Sequence, residues 1–197
     1  MNASSRTQEL PLASAAASPA HWLPHGAAMV LIDRIERWDG ESLCATSARH
    51  CGMEHPLAAA DGTVAAVHLL EYAAQAAAIH IGRLAAGGAS GATATAVADG
   101  APVPAPGLVK PGVIAFVREL DFDVAAIAPA APTLWVEVRR RAAIPGGMAY
   151  GFRIAFAADG VGERVPGDAP MALDDASVIA RGVFGVVLGA GPGEVRA

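Results

Sequence analysis

The chain has 197 residues, a hydrophobic fraction of 53% and a formal net charge of -5. That length suits one domain with extra segments, and the apolar content is ample for a core, although part of it lies in Ala-rich tails. The acidic balance argues against a sequence-independent grip on nucleic acid.

Residues 1–21 lack a basic start followed by a continuous apolar run, so no signal peptide is expected. They read as a disordered Ala/Ser-rich lead-in to a single domain over 22–188. Residues 22–40 read WLPHGAAMVLIDRIERWDG. Pro24 and Gly26 mark a turn, the apolar run from Met29 to Ile35 packs on something, and Asp39-Gly40 is a hairpin-type turn. A short strand over Ser42 to Arg49 follows. Leu43, Ala45 and Ser47 lie on one face, and Cys44, Thr46 and Ala48 on the other. Cys44 and Cys51 are the two cysteines. Their spacing fits no common metal or redox motif, so they read as reduced thiols in a cytoplasmic protein. The irregular link CGMEHPLAAADG, with His55, leads to the helix.

The helix is expected over 61–86, DGTVAAVHLLEYAAQAAAIHIGRLAA, with Asp61 or Thr63 as its cap and Gly87-Gly88 as its stop. It is apolar nearly all round, which predicts burial. Its charged residues exclude a membrane span of ~18 uninterrupted apolar residues. His68, Glu71 and Gln75 fall within about 60° of one another on one stripe. A carboxylate in a buried helix is costly unless it is paired or put to use. Tyr72 reads as core packing.

Residues 87–111 are rich in Gly, Ala and Pro and read as a mobile loop. Strands are expected over 113–122, 133–144, 149–158 and 177–188, with Pro145-Gly146-Gly147 as a turn, a polar loop over 159–176 and a tail over 189–197. In 133–144, Leu134, Val136 and Val138 alternate with Trp135, Glu137 and Arg139. One helix wrapped by a curved antiparallel sheet is an α+β arrangement, the hot-dog layout.

The segment LPHGAAMVLIDRI at 23–35 resembles the opening of the bacterial 3-hydroxyacyl-acyl-carrier-protein dehydratases. LLEYAAQ at 69–75 resembles their helix motif, in which the catalytic carboxylate is followed one turn later by Gln. HPLAAADG at 55–62 is similar instead to the divergent branch associated with aryl-polyene synthesis. The resemblance implies a hot-dog fold and a dimer whose sheets join edge to edge, either a homodimer or a heterodimer with a second hot-dog subunit. It implies an acyl carrier protein partner bearing a phosphopantetheine-linked acyl chain, and loss of water from a 3-hydroxyacyl thioester. It makes Glu71 the catalytic carboxylate, with burial raising its pKa so that it acts as acid. Gln75 would orient it. The N–H of Ala66, or of a neighbour at the helix start, would face the developing enolate.

The family's catalytic His sits where this chain has Leu57, and its Pro-Gly before the helix is Ala65-Ala66 here. Three readings of the base therefore stay open: His55 through a shifted loop, His68 from one turn before Glu71, or no catalytic His in this chain. The last would make it the supporting half of a heterodimer. A thioesterase is a further reading, since the same fold and helix carboxylate support hydrolysis. His25 reads as a structural hydrogen bond. Arg139-Arg140-Arg141 reads as a solvated strand face or as a greeting to an acidic carrier protein. With no phosphate loop, metal-ligand cluster or Ser-His-Asp pattern, no metal or redox cofactor is implied.

Overall fold

The computed structural model describes residues 18–24, 26–51, 55–85, 112–157 and 177–189. Most of the expected lead-in, the expected loops over 87–111 and 159–176, the tail beyond 189, the Gly87-Gly88 stop and His25 lie outside the described residues.

The first hairpin joins β1 (Arg34–Trp38) to β2 (Ser42–Ser47) through Asp39-Gly40. The Asp39 carboxylate accepts the N–H groups of Glu41 and Ser42 at 2.8 and 2.7 Å and closes the turn locally. A two-residue strand β3 (Val64–Ala65) and a 3-10 turn (Ala66–His68) run into the helix α1 (Leu69–Ala85). The chain returns as β4 (Gly112–Phe122), β5 (Ala126–Ile127), β6 (Leu134–Ile144), β7 (Gly147–Phe156) and β8 (Val178–Leu188). Six strands form one antiparallel sheet in the order β1-β2-β6-β7-β8-β4, and β3 pairs with β5 apart from it.

The helix lies on the sheet against β2, β6 and β7. Alternation decides which side chains meet it. Leu43, Ala45, Leu134, Val136 and Val138 enter the core with Leu69, Tyr72, Ala73 and Ile79. Cys44 and Trp135 form a separate buried cluster on the other face of the sheet. At the β6–β7 hairpin, Ile144 pairs with Gly147 across Pro145-Gly146. Gly146 sits at φ 72, a left-handed conformation that a side chain would strain.

The apolar run 29–35 packs as expected: Val30, Leu31 and Ile32 are core residues, and β1 begins at Arg34. Two expectations need correction. The helix starts later than 61. Asp61 does not cap it; its carboxylate accepts the N–H and hydroxyl of Thr63 at 3.0 and 2.7 Å. Gly62 at φ 80 and the pairing of Val64 with Ile127 both break helical backbone there. Nor is α1 buried all round. Leu70, Glu71, Ala74, Ala78 and Ile81 are only partly buried, and Val67 just before the helix is 55% exposed. Hydropathy alone cannot tell a helix face covered by its own sheet from one left open at the surface of a single chain.

Candidate active site

The site is built where the segment before β1 meets the first turns of α1. Gln75 is 1% exposed and joins the two. Its Oε1 accepts the Leu31 N–H at 2.8 Å, and its Nε2 donates to the Met29 carbonyl at 2.8 Å. The second Nε2 hydrogen goes to Glu71 Oε1 at 3.0 Å, one helical turn away. An amide that uses both donors and its carbonyl holds one orientation. The segment it grips is fixed from its other side as well. Ser47 Oγ donates to the Leu31 carbonyl, and the Asp33 carboxylate accepts the Ala48 N–H at 2.8 Å and Arg49 Nε at 2.6 Å. The two stretches that the family resemblance singled out thus meet at Gln75. Glu71 itself is half-buried rather than buried.

His55 is 7% exposed and lies against Tyr72, not against Gln75. Its Nδ1 accepts the Leu57 N–H at 3.1 Å, and its Nε2 lies 2.9 Å from the Tyr72 hydroxyl. Burial, then the positive potential of His50 and His68, hold its pKa below the ordinary histidine value. His68 is half-buried in the 3-10 turn and makes no hydrogen bond among the described residues. His50 is fully buried, with its Nε2 3.1 Å from the Ala131 carbonyl.

The helix start does not supply the expected donor at Ala66, whose N–H already bonds the Ala125 carbonyl at 2.9 Å. That bond continues the β3–β5 pairing that sequence reading did not find. The next N–H, of Val67, has no carbonyl one turn earlier inside the helix to meet. Tyr72 was read as packing alone, yet its hydroxyl is the buried partner of His55. The signal was available, because a buried tyrosine hydroxyl in an aliphatic helix needs a polar partner. In the basic run, Arg139 and Arg141 are exposed, while Arg140 turns to donate Nη1 to the Gly40 carbonyl at 2.8 Å. Among the described residues no group of three or more His, Cys, Asp or Glu could hold a metal ion, and no helix is long and apolar enough to cross a membrane.

A family model for ApeP-like dehydratases matches residues 17–161. The chain belongs to the ApeP-like dehydratase family. The match contains Gln75 and both segments it joins, Glu71, His55 and Tyr72. Among solved structures, the dehydratase heterocomplex ApeI:P from Xenorhabdus doucetiae aligns at a TM-score of 0.60 and 15% identity, over 88% of this chain and 91% of that chain. At that identity the likeness shows the hot-dog fold. A mutant thioesterase from Pseudomonas aeruginosa aligns at a TM-score of 0.38 and 15% identity, over 79% of this chain and 81% of that chain. No curated protein matches the chain in sequence.

Proposed function

We propose that this dehydratase-family chain removes water from 3-hydroxyacyl groups held as thioesters on an acyl carrier protein, with Glu71 as its acid–base group. The observation that carries this reading is the Gln75 clamp, which fixes the half-buried Glu71 carboxylate by a 3.0 Å bond one helical turn away. A carboxylate with a fixed orientation and partial burial is suited to proton transfer at a carbon beside a thioester. No cofactor enters this reading, since the thioester itself acidifies the C2 proton.

A second hot-dog subunit belongs to the proposal. Strand β4 ends the sheet with one edge unpaired among the described residues, and Val113, Ile114, Val117 and Leu120 on it are exposed. The half-exposed stripe Leu70, Ala74, Ala78 and Ile81 lies along α1 beside Glu71. Open apolar strand edges and patches of this kind are covered in working proteins. The solved heterocomplex of the same fold supports a partner that is not a copy of this chain. The carrier's acidic surface would meet exposed cations such as Arg139 and Arg141.

One observation favours a second reading. Both ring nitrogens of His55 are engaged by Leu57 and Tyr72, so within one chain it is not poised as a base. In this reading the chain supports a catalytic partner. The test is turnover of a 3-hydroxyacyl carrier protein, followed by mass, by the chain alone and with its co-purified partner. Water loss that Glu71→Gln lowers by at least about 10²-fold supports the first reading. Water loss that survives Glu71→Gln supports the second, and release of free acid in place of the enoyl thioester would mean a thioesterase.

A further inference from the structure

A buried charge in a folded chain is normally paired, and Arg83 is not. It sits near the end of α1, is 9% exposed, and holds its guanidinium carbon over the Trp22 and Trp38 rings, 5.4 and 5.2 Å from their centres. Among the described residues no carboxylate stands within ion-pair distance of it. A guanidinium keeps its charge in any protein setting. Ring faces attract that charge but give the N–H fork in the guanidinium plane no oxygen to meet. Arg83 Nε is sealed from solvent with no partner, and so is Trp22 Nε1 in one of the walls. Orphan donors call for an explanation, and an ion is one. The two outer nitrogens of Arg83 have no hydrogen-bond partner either among the described residues, yet they are not sealed. The tip of the fork therefore opens at the surface, where an acceptor reaches it without entering the core.

Other cations gather at this end of the molecule. The Asp39 carbonyl meets His80, which precedes Arg83 by one helical turn, at 2.7 Å. The turn from Asp39 leads to Ser42, which pairs with Arg139 on β6. Arg139 and Arg141 are exposed there, while Arg140 is spent on the Gly40 carbonyl and on Glu41. The Asp39 carboxylate closes its own turn. The last carbonyls of α1 set about half a negative charge against Arg83, which leaves this end positive on an acidic chain.

We propose that the Arg83 fork, walled by Trp22 and Trp38, is a binding site for a phosphate group, either a phosphate monoester or inorganic phosphate. The edge of a guanidinium meets two phosphate oxygens in its own plane through parallel N–H bonds. A dianionic phosphate with three or more acceptor oxygens also gains from the exposed Arg139 and Arg141 in a way that a carboxylate does not. The bound anion supplies the counter-charge that the fold lacks. The site lies about 18 Å along α1 from Glu71 at 1.5 Å per residue, so it goes beyond the dehydratase reading and does not depend on it.

The test is a titration of the full-length chain with sodium phosphate at constant ionic strength, read by tryptophan fluorescence and by melting temperature. Two of the three indoles wall the site, so wild type is expected to show a saturable fluorescence change and a melting temperature that rises with phosphate. Arg83→Met keeps the stem and is expected to lose both responses while melting near wild type without phosphate. Arg83→Lys keeps the charge but not the fork, and is expected to bind at least about 10-fold more weakly. No saturable response in wild type, the same response in Arg83→Met, or wild-type affinity in Arg83→Lys overturns the proposal. The lysine variant decides alone if the methionine variant does not fold. Acetate that saturates at the same concentration as phosphate overturns the phosphate assignment. Phosphopantetheine distinguishes the source: saturation below the concentration needed for inorganic phosphate supports an ester in the site, and saturation above it supports the free anion.

Discussion

The two His–Tyr pairs of this chain place the same side-chain types 2.9 Å apart, one at each end of α1, and differ in which partner gives the proton. At the His80 end the tyrosine donates, the histidine donates on to a carbonyl, and each of these hydrogens ends inside the fold. At the His55 end the histidine donates and the tyrosine retains a hydrogen to give. The difference comes from the backbone. A carbonyl at Asp39 and an N–H at Leu57 select opposite tautomers. The surroundings match this division. Near His80, Arg83 lies between the Trp22 and Trp38 rings, 5.4 and 5.2 Å from their centres, and ties the chain's early segment and β1 to the helix. Near His55, the charged neighbours are His50 and the half-buried His68. One pair is locked beside the indole clasp, and the other is tied to its own loop through Leu57.

The sharpest way to test this division is to remove matched atoms at each end. Glu71→Gln should have the largest effect on turnover, at least about 10²-fold, with a melting temperature close to wild type, since Gln at a half-buried site can still pair with Gln75. Tyr150→Phe should do the reverse. It leaves His80 Nδ1 buried without a donor and should cost about 1–3 kcal/mol in urea unfolding, with kcat unchanged. Activity lost in Tyr150→Phe at unchanged stability would break the comparison.

A smaller contrast lies in Arg83, whose Nε is buried with no hydrogen-bond partner among the described residues and whose pKa burial lowers. Its stem and guanidinium fill the space between two indoles. Arg83→Ala should empty that space and lose about 2–3 kcal/mol. Arg83→Met keeps the stem and removes a desolvated charge, and should lie within about 1 kcal/mol of wild type. Equal losses for the two variants in thermal unfolding would mean that charge, not packing, holds this clasp.

How far this division was legible in the sequence depends on the kind of information each part needs. Strand alternation in Leu134–Val138 and the Gln75–Glu71 spacing were readable because they are local periodicities, and the sheet and the 3.0 Å bond follow them. β3 was not, because two residues carry no period and its partner β5 lies far along the chain. The helix start moved for the same reason: Asp61 and Thr63 look like caps until Gly62 and the β3 pairing are known. Proton placement on His55 and His80 was beyond reach, since it depends on whether a distant or neighbouring backbone group donates or accepts. The open stripe of α1 was misread as buried because Leu, Ala and Ile look alike whether they meet their own sheet or a second subunit.

The smallest expected effect is a pH dependence shared by both ends. Burial is the largest cause that lowers the pKa of His55 and of His80 below the ordinary value of 6.5. At His80 the Asp39 carbonyl pulls the other way without reversing the shift. An unfolded chain binds protons at these positions from about pH 6.5 downward, while the folded chain does not until lower pH. The unfolded state thus binds more protons in that window, so stability is full above pH 6.5 and falls as pH drops below it. The two variants separate the ends. His80→Gln should flatten the decline by about half in thermal melts between pH 7 and pH 5, and so should His55→Gln if the two sites are shifted alike. A decline unchanged in His80→Gln would place the histidine-linked acid sensitivity at His55, where the proton would displace the Leu57 N–H from Nδ1 and uncouple His55 from the loop that orients it.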